Sequence, residues 1–478
     1  MQQDIFDAVE DPAAGHLVIE ALAGTGKSTT IEECVRRTDA DSSVLVCAFN
    51  SAIAKSLAPR MPEGVVVSTI HAFGMRALAA ATEGSLDVQR FAVSDLCKEL
   101  MGCDWGSREA RKAVVQLVGV AKGQAFDGRA PGSDWRLLDS WADAVGIDFP
   151  KGWDRSRLCG TALQILRMQQ KNVRGHVIDF DDMIWLPLVR EVSIPTFDFV
   201  FVDETQDLNP AQLQLIKLAG AGGRIVAVGD RRQAIYGFRG ADSQAMPRMV
   251  AELEARTLPL SVTYRCPAAV VRQANRYVPD LEARPGAPEG IVRTCGIAEL
   301  EDSAAPGDFV LSRTNAPLVS LAFRWIASGR HARIQGRDIG AGLATWVKAQ
   351  DVAAGTIGMR SLKAKIEAWA AAEIARLEAA ERDTTAVVDK AACLSALAAN
   401  CTDVGSMLLR IETLFADNGA ASAIVLSSTH RAKGLEADRV WLLRDTYLKW
   451  QGAEEENLLY VGITRAKHEL IFVTDADA

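Results

Sequence analysis

The chain has 478 residues, a length that holds two to four domains at roughly 100–200 residues each. A composition of 49% hydrophobic and 24% charged residues is the ordinary globular mix, with enough apolar side chains for large buried cores. The net charge of −8 argues against a non-specific coat on nucleic acid, but it leaves room for a local basic groove on an acidic protein.

The nine cysteines form no CxxC pair and no histidine stands at ligand spacing beside them, so a zinc site or disulfide framework is not expected. They read as reduced, mostly buried thiols. The first residues, MQQDIFDAVED, carry neither a basic nor an apolar leader segment. No uncharged apolar stretch reaches the roughly 20 residues of a membrane span. The expectation is a soluble, cytoplasmic protein with no membrane partner.

In chain order, short β-branched runs precede helix starts at 16–20 (HLVIE), 43–49 (SVLVCAF), 65–71 (VVVSTIH), 197–204 (FDFVFVDE) and 224–230 (RIVAVGD). Runs of this kind predict buried parallel strands of an α/β core. A second set follows at 307–313, 422–429, 438–443 and 468–473, which predicts a second core. Between them lie two segments without strand runs. Residues 86–169 carry Leu, Val and Trp at helical spacing, and residues 341–420 include the Ala- and Leu-rich stretch KAKIEAWAAAEIARLEAAERD. Each reads as a helical insertion into one core. The layout is therefore 1–85 with 170–258 for the first core and 86–169 for its insertion. The second core takes 259–340 with 421–478, and its short insertion takes 341–420.

EALAGTGKSTT (20–30) follows a predicted strand and opens a predicted helix. It meets the pattern GxxxxGK[ST] at Gly26, Lys27 and Ser28, with Ala21 in place of the first glycine. Small residues at Gly24, Thr25 and Gly26 let backbone N–H groups curl round phosphates, and a helix N-terminus favours an anion. Lys27 is expected to reach the β- and γ-phosphates of ATP, Ser28 to hold Mg²⁺, and Thr29 to line the same site. FVFVDETQD (199–207) supplies the acidic partner: four apolar residues lead into Asp203, expected on Mg²⁺, and Glu204, expected to deprotonate the attacking water. These residues alone define a P-loop NTPase.

Further motifs narrow the class. AFNSAIAKSL (48–57), STIHAFG (68–74), VGDRRQAIYGFRGAD (228–242), SVTYRCP (261–267), STHRAKGLEADRV (428–440) and EEENLLYVGITRAKHEL (454–470) occur in one order along the chain. Together with the phosphate loop they resemble the UvrD/Rep/PcrA family of superfamily 1 DNA helicases, over most of the chain outside the two insertions. Phe238 stands where that family has tryptophan. The resemblance implies an α/β fold with two RecA-like P-loop NTPase cores, parallel sheets, and a mainly helical insertion in each.

The resemblance also implies roles. Gln2 or Gln3 would read adenine, and Tyr264 would stack on it. Gln233 would sense the γ-phosphate, and Arg265 would contact it. Gly434 would lie near the nucleotide, Glu436 would accept from ribose, and Arg465 would be the arginine finger, a role suited to a planar, permanently charged fork. Phe49, Asn50, Thr69, His71, Tyr236, Phe238 and His430 would meet single-stranded DNA. The aromatics among them would stack on bases regardless of sequence. Histidine or phenylalanine at a strand end is also a common packing residue, so packing and DNA contact both stand for these positions.

The implied activity is an ATP-dependent DNA helicase, moving 3′ to 5′ on single strands and opening ss/dsDNA junctions as the two cores alternately close and part. A translocase that strips bound proteins, and a nucleotide-gated binding module with a decayed motor, are the competing readings. RNA also stays open as a substrate, because stacking and phosphate contacts do not read the sugar. The second insertion is much shorter than in the large bacterial repair enzymes, and such compactness points to a phage or mobile-element enzyme; the expected setting is bacterial or phage-encoded, cytoplasmic and at the nucleoid.

Overall fold

The structure is a computed structural model and describes residues 1–101, 108–130, 132, 134–150, 152–171, 176–235, 244–351, 358–379, 383–415, 423–448 and 452–474. The chain divides into two compact units. One comprises Met1–Leu22 with Gly26–Ser261, the other Ala23–Thr25 with Val262–Ala478.

The first unit holds strands β1 (Leu17–Ala21), β2 (Val44–Ala48), β3 (Val66–Thr69), β4 (Asp87–Val88), β5 (Val177–Ile178), β6 (Phe199–Val202), β7 (Arg224–Gly229) and β8 (Arg256–Leu260). Six of them form one sheet in the order β3-β2-β6-β7-β1-β8, and every neighbouring pair is parallel. Alternate side chains go to opposite faces, as strand pleating requires. Val18, Leu45, Val200 and Ala227 join one apolar cluster, whereas Leu17, Ile19, Val46, Phe201 and Val228 join another. Burial on both faces is why these strands read as continuous apolar runs. β8 has no such run, because its Arg256, Thr257 and Pro259 are exposed on the edge of the sheet.

Helices Ala92–Met101, Arg108–Gly123, Trp135–Ala144 and Arg155–Gln170 form the inserted lobe of this unit. Their apolar faces close over Leu96, Val114, Leu117, Leu138 and Leu166, in a cluster that also takes in Leu78, Trp185 and Leu186 from helices flanking the insertion. The parallel pairing of β4 with β5 joins the two ends of the insertion. A two-residue bridge of this kind leaves no apolar run for the sequence to display.

The second unit holds β9 (Val262–Thr263), β10 (Glu282–Ala283), β11 (Ile291–Gly296), β12 (Phe309–Ser312), β13 (Ala332–Ile334), β14 (Ile424–Ser428), β15 (Ala437–Leu443) and β16 (Ala466–Thr474). β9 pairs with β10, and the other six form a parallel sheet in the order β11-β16-β15-β12-β14-β13. Its insertion is the helices Arg337–Asp351, Met359–Glu378, Thr385–Ala399 and Val404–Leu414. These pack directly on the sheet. Leu343, Ile366, Leu394 and Ile411 share one apolar cluster with Val310, Leu426 and Trp441 of the sheet. Asp389 adds a polar tie: its carboxylate accepts from the backbone N–H groups of Asn315 and Ala316, both at 2.8 Å, at the start of helix Ala316–Ala327.

Among the described residues the cysteines are all free, and all but Cys401 are buried. No single described helix is long and apolar enough to cross a membrane.

Candidate active site

Parallel sheets place ligands beyond the carboxyl ends of their strands. In the first unit the ends of β1, β7 and β6 are neighbours, and each leads into a candidate residue. After β1 the chain turns through Gly24 (φ +71°) and Gly26 (φ +85°), conformations that disfavour any residue with a Cβ. The helix Lys27–Arg36 then begins, its N-terminus facing the turn. Lys27 is in the first turn of that helix, and its Nζ lies 3.6 Å from the Glu204 carboxylate. Ser28 hydrogen-bonds the Asp203 carboxylate; Thr25 is buried and Thr29 is exposed.

Asp203 and Glu204 follow β6 directly. The Asp203 side chain is only 3% exposed. Burial, reinforced by the neighbouring Glu204 charge and opposed by Lys27, pushes its carboxyl up to about 7. Glu204 adopts a left-handed backbone (φ +52°), a strain of about 1–3 kcal/mol that non-glycine residues tolerate mainly at functional positions. Its carboxylate accepts from Gln206 Nε2. Gln206 Oε1 in turn accepts from the Asp230 N–H at 2.9 Å. Asp230, at the end of β7, is raised by burial and accepts from Gln233 Nε2 at 2.7 Å. Lys27, Glu204, Gln206, Asp230 and Gln233 are thus one connected network at the end of the first sheet. The sequence motifs single out Lys27, Glu204 and Gln233 but not Gln206 and Asp230, although both lie inside the same motifs. Only the folded arrangement shows that they link one motif to the other.

A second group faces solvent in the same unit. Asn50 caps helix Ser51–Leu57 by accepting from the Ile53 N–H, and Thr69 caps helix Ile70–Ala80 by accepting from the Ala72 N–H. Both side-chain oxygens are therefore engaged as helix caps. Phe49 is exposed just before the first of these helices. His71 lies in the first turn of its helix, not at a strand end. Burial alone holds its imidazole down to about 4, so the ring is neutral at pH 7. It stacks on Phe180, with ring centroids 4.2 Å apart and planes 29° apart. Phe180 is 57% exposed. The motifs do not reach it; the available signal was a lone aromatic among the carboxylates of DFDD (179–182). Gln2 opens helix Gln2–Glu10, and Gln3 donates to Asp7 at 2.6 Å. Tyr236 and Phe238 lie outside the described residues.

In the second unit Tyr264 is 60% exposed, and Arg265 Nε donates to Glu436 Oε2 at 2.6 Å. The two residues expected at γ-phosphate and ribose therefore hold each other. Gly434 takes a left-handed backbone (φ +82°) beyond the short helix Thr429–Ala432, which carries His430. Arg465, immediately before β16, is 1% exposed. Its Nε donates to the Val461 carbonyl at 2.9 Å and its Nη1 to the Leu435 carbonyl at 3.1 Å. Its guanidinium is held inside its own unit, so a finger role requires it to exchange those partners.

The two parallel-sheet cores, the glycine-turned phosphate loop and the acidic pair at the end of β6 define a class of P-loop protein built on the helicase plan. Residues 6–239 match the family described as an AAA domain, and residues 423–473 match the UvrD-like helicase C-terminal domain. The chain is a UvrD/PcrA-like member of helicase superfamily 1. Its relatives include the ATP-dependent DNA helicase PcrA of Staphylococcus aureus, 36% identical over 23% of this chain and 16% of that protein. DNA helicase II of Haemophilus influenzae is 36% identical over 21% of this chain and 14% of its own length. The F-box DNA helicase protein 1 of Schizosaccharomyces pombe is 24% identical over 95% of this chain and 55% of its own. The chain thus spans little more than half the length of the last and far less of the other two.

Proposed function

We propose that this chain is an ATP-hydrolysing motor that moves on single-stranded DNA and unwinds duplex. The observation that carries the reading is the connected network of Lys27, Glu204, Gln206, Asp230 and Gln233 at the carboxyl end of the first sheet. In this reading the N–H groups of the loop and of the first turn after Gly26 bind the phosphates, and Lys27 neutralises the outer ones. Glu204, fixed by Gln206, takes the proton of the attacking water. Gln233 rests on Asp230 and is released toward the γ-phosphate when nucleotide binds. Ser28 and Asp203 suit Mg²⁺, because a buried carboxylate beside a hydroxyl gains most from a divalent cation. That ion would supply charge neutralisation on the phosphates.

Coupling to movement falls to the second unit. Arg265 and Arg465 would leave Glu436 and the carbonyls of Val461 and Leu435 for phosphate oxygens. Nucleotide then favours one arrangement of the cores and its hydrolysis the other, since a ligand shifts an equilibrium only through unequal affinity for the two states. Phe49, His71 and Phe180 would offer flat faces to successive bases, with Tyr264 kept for adenine. The direction is 3′ to 5′ by resemblance to the family.

Strand displacement tests this reading. A duplex with a 3′ single-stranded tail should be opened in the presence of ATP and Mg²⁺, and one with a 5′ tail or blunt ends should not. Turnover stimulated by single strands without displacement of either duplex would favour a translocase that strips bound proteins. Displacement from the 5′ tail alone would reverse the polarity.

A further inference from the structure

The helical insertion of the first unit contains a buried cation. Lys122, in the last turn of helix Arg108–Gly123, is 1% exposed. Its Nζ donates to Asp179 Oδ2 at 2.6 Å and sits 2.8 Å from Asp182 Oδ1. Both aspartates belong to the turn by which the chain leaves β5 and enters helix Asp182–Val189. The turn is also closed on itself. The Asp179 N–H donates to Asp182 Oδ2 and the Asp182 N–H to Asp179 Oδ1, each at 2.9 Å. Gln169 Nε2, from the last turn of helix Arg155–Gln170, adds a bond to Asp182 Oδ2 at 2.7 Å. Between the two clamped aspartates stands Phe180, exposed and stacked on His71.

Three buried charges are a poor way to add stability, since well-packed apolar residues of similar volume do as well or better. Burial lifts the Asp182 carboxyl to about 6 even beside Lys122, which shows the cost of holding that charge inside. What the ions do add is direction. Reciprocal bonds fix the backbone on both sides of Phe180, and the Lys122 cation fixes the turn against the insertion.

We propose that Lys122, Asp179 and Asp182 are positioning residues that hold the Phe180 ring in its stack on His71, so that the helical insertion sets the geometry of a base-stacking platform on the first core. The inference rests on the reading of Phe180 and His71 as a single-strand contact. The insertion thereby acts on the strand at a distance, because a change in its packing is passed through Lys122 to the ring.

A double-mutant cycle on the full chain tests the proposal, with binding of a fluorescein-labelled oligothymidylate read by anisotropy and melting read in parallel. Phe180→Ala should weaken binding about tenfold, within the range for loss of one stacked base. Lys122→Met should weaken it to a similar degree in the wild-type background and have little further effect when Phe180 is already alanine. Asp179→Asn keeps an oxygen to accept from the Asp182 N–H while losing the charge. It should show a smaller loss with the same dependence on Phe180, and it carries the test if Lys122→Met does not fold. Equal losses from Lys122→Met with and without the ring would overturn the positioning role, as would wild-type affinity in both triad variants. Wild-type affinity in Phe180→Ala would overturn the stacking platform itself, and failure of the unmutated chain to bind the oligonucleotide would overturn the motor reading beneath it.

Discussion

Lys27→Ala is expected to lower ATP turnover by about 10²- to 10³-fold or more, the scale of losing one strong electrostatic contact to the reacting group. The Lys27 ammonium lies 3.6 Å from Glu204, and its charge lowers the pKa of both Asp203 and Asp230. Without it, Asp203 and Asp230 lose a charge that holds their carboxyls down, and each binds protons more readily. The Asp203 carboxyl, already pushed up to about 7 by burial, would rise further without Lys27 and hold a divalent cation less well. The change therefore acts twice, once on the phosphates and once on the acids. Steady-state turnover at saturating ATP, with melting followed in parallel, measures it. A folded Lys27→Ala protein with normal turnover would mean that the phosphates bind elsewhere.

Glu204→Gln is expected to keep ATP binding and slow hydrolysis by at least about 10²-fold, the usual loss with a general base. The substitution is nearly isosteric, and the amide oxygen still accepts from Gln206 Nε2. The left-handed backbone at this residue is therefore held by the same neighbours, and folding should change little. Nucleotide affinity and single-turnover hydrolysis of prebound ATP separate the two effects. Lost binding with retained turnover of bound ATP would exchange the roles given to Asp203 and Glu204.

The parts legible in the sequence were those written locally. The phosphate loop needs a strand, two left-handed glycines and a helix start within about ten residues, and that spacing survives without any tertiary information. Buried parallel strands advertise themselves by continuous apolar runs, so β1, β2, β6 and β7 were plain. β8 and β11 were not, because an edge strand with exposed Arg256 or Ile291 carries no such run. Resting states of side chains were hidden for a different reason. In this structure Asn50 and Thr69 cap helices and Arg465 lies buried on carbonyls of its own unit, partners that the motifs alone do not specify. The two caps reach only three residues along the chain, whereas the Leu435 carbonyl lies thirty residues from Arg465 and the stack of Phe180 on His71 joins residues more than a hundred positions apart.

The central claim is that ATP hydrolysis at the first core is coupled to a single strand of DNA. ATP turnover by the full chain, measured with Mg²⁺ across a titration of oligothymidylate, tests it most directly. The expected result is a low rate without DNA and a saturable rise as the strand is added, with the rise lost in Lys27→Ala. A rate that is the same with and without the strand, at concentrations where binding is complete, would contradict it.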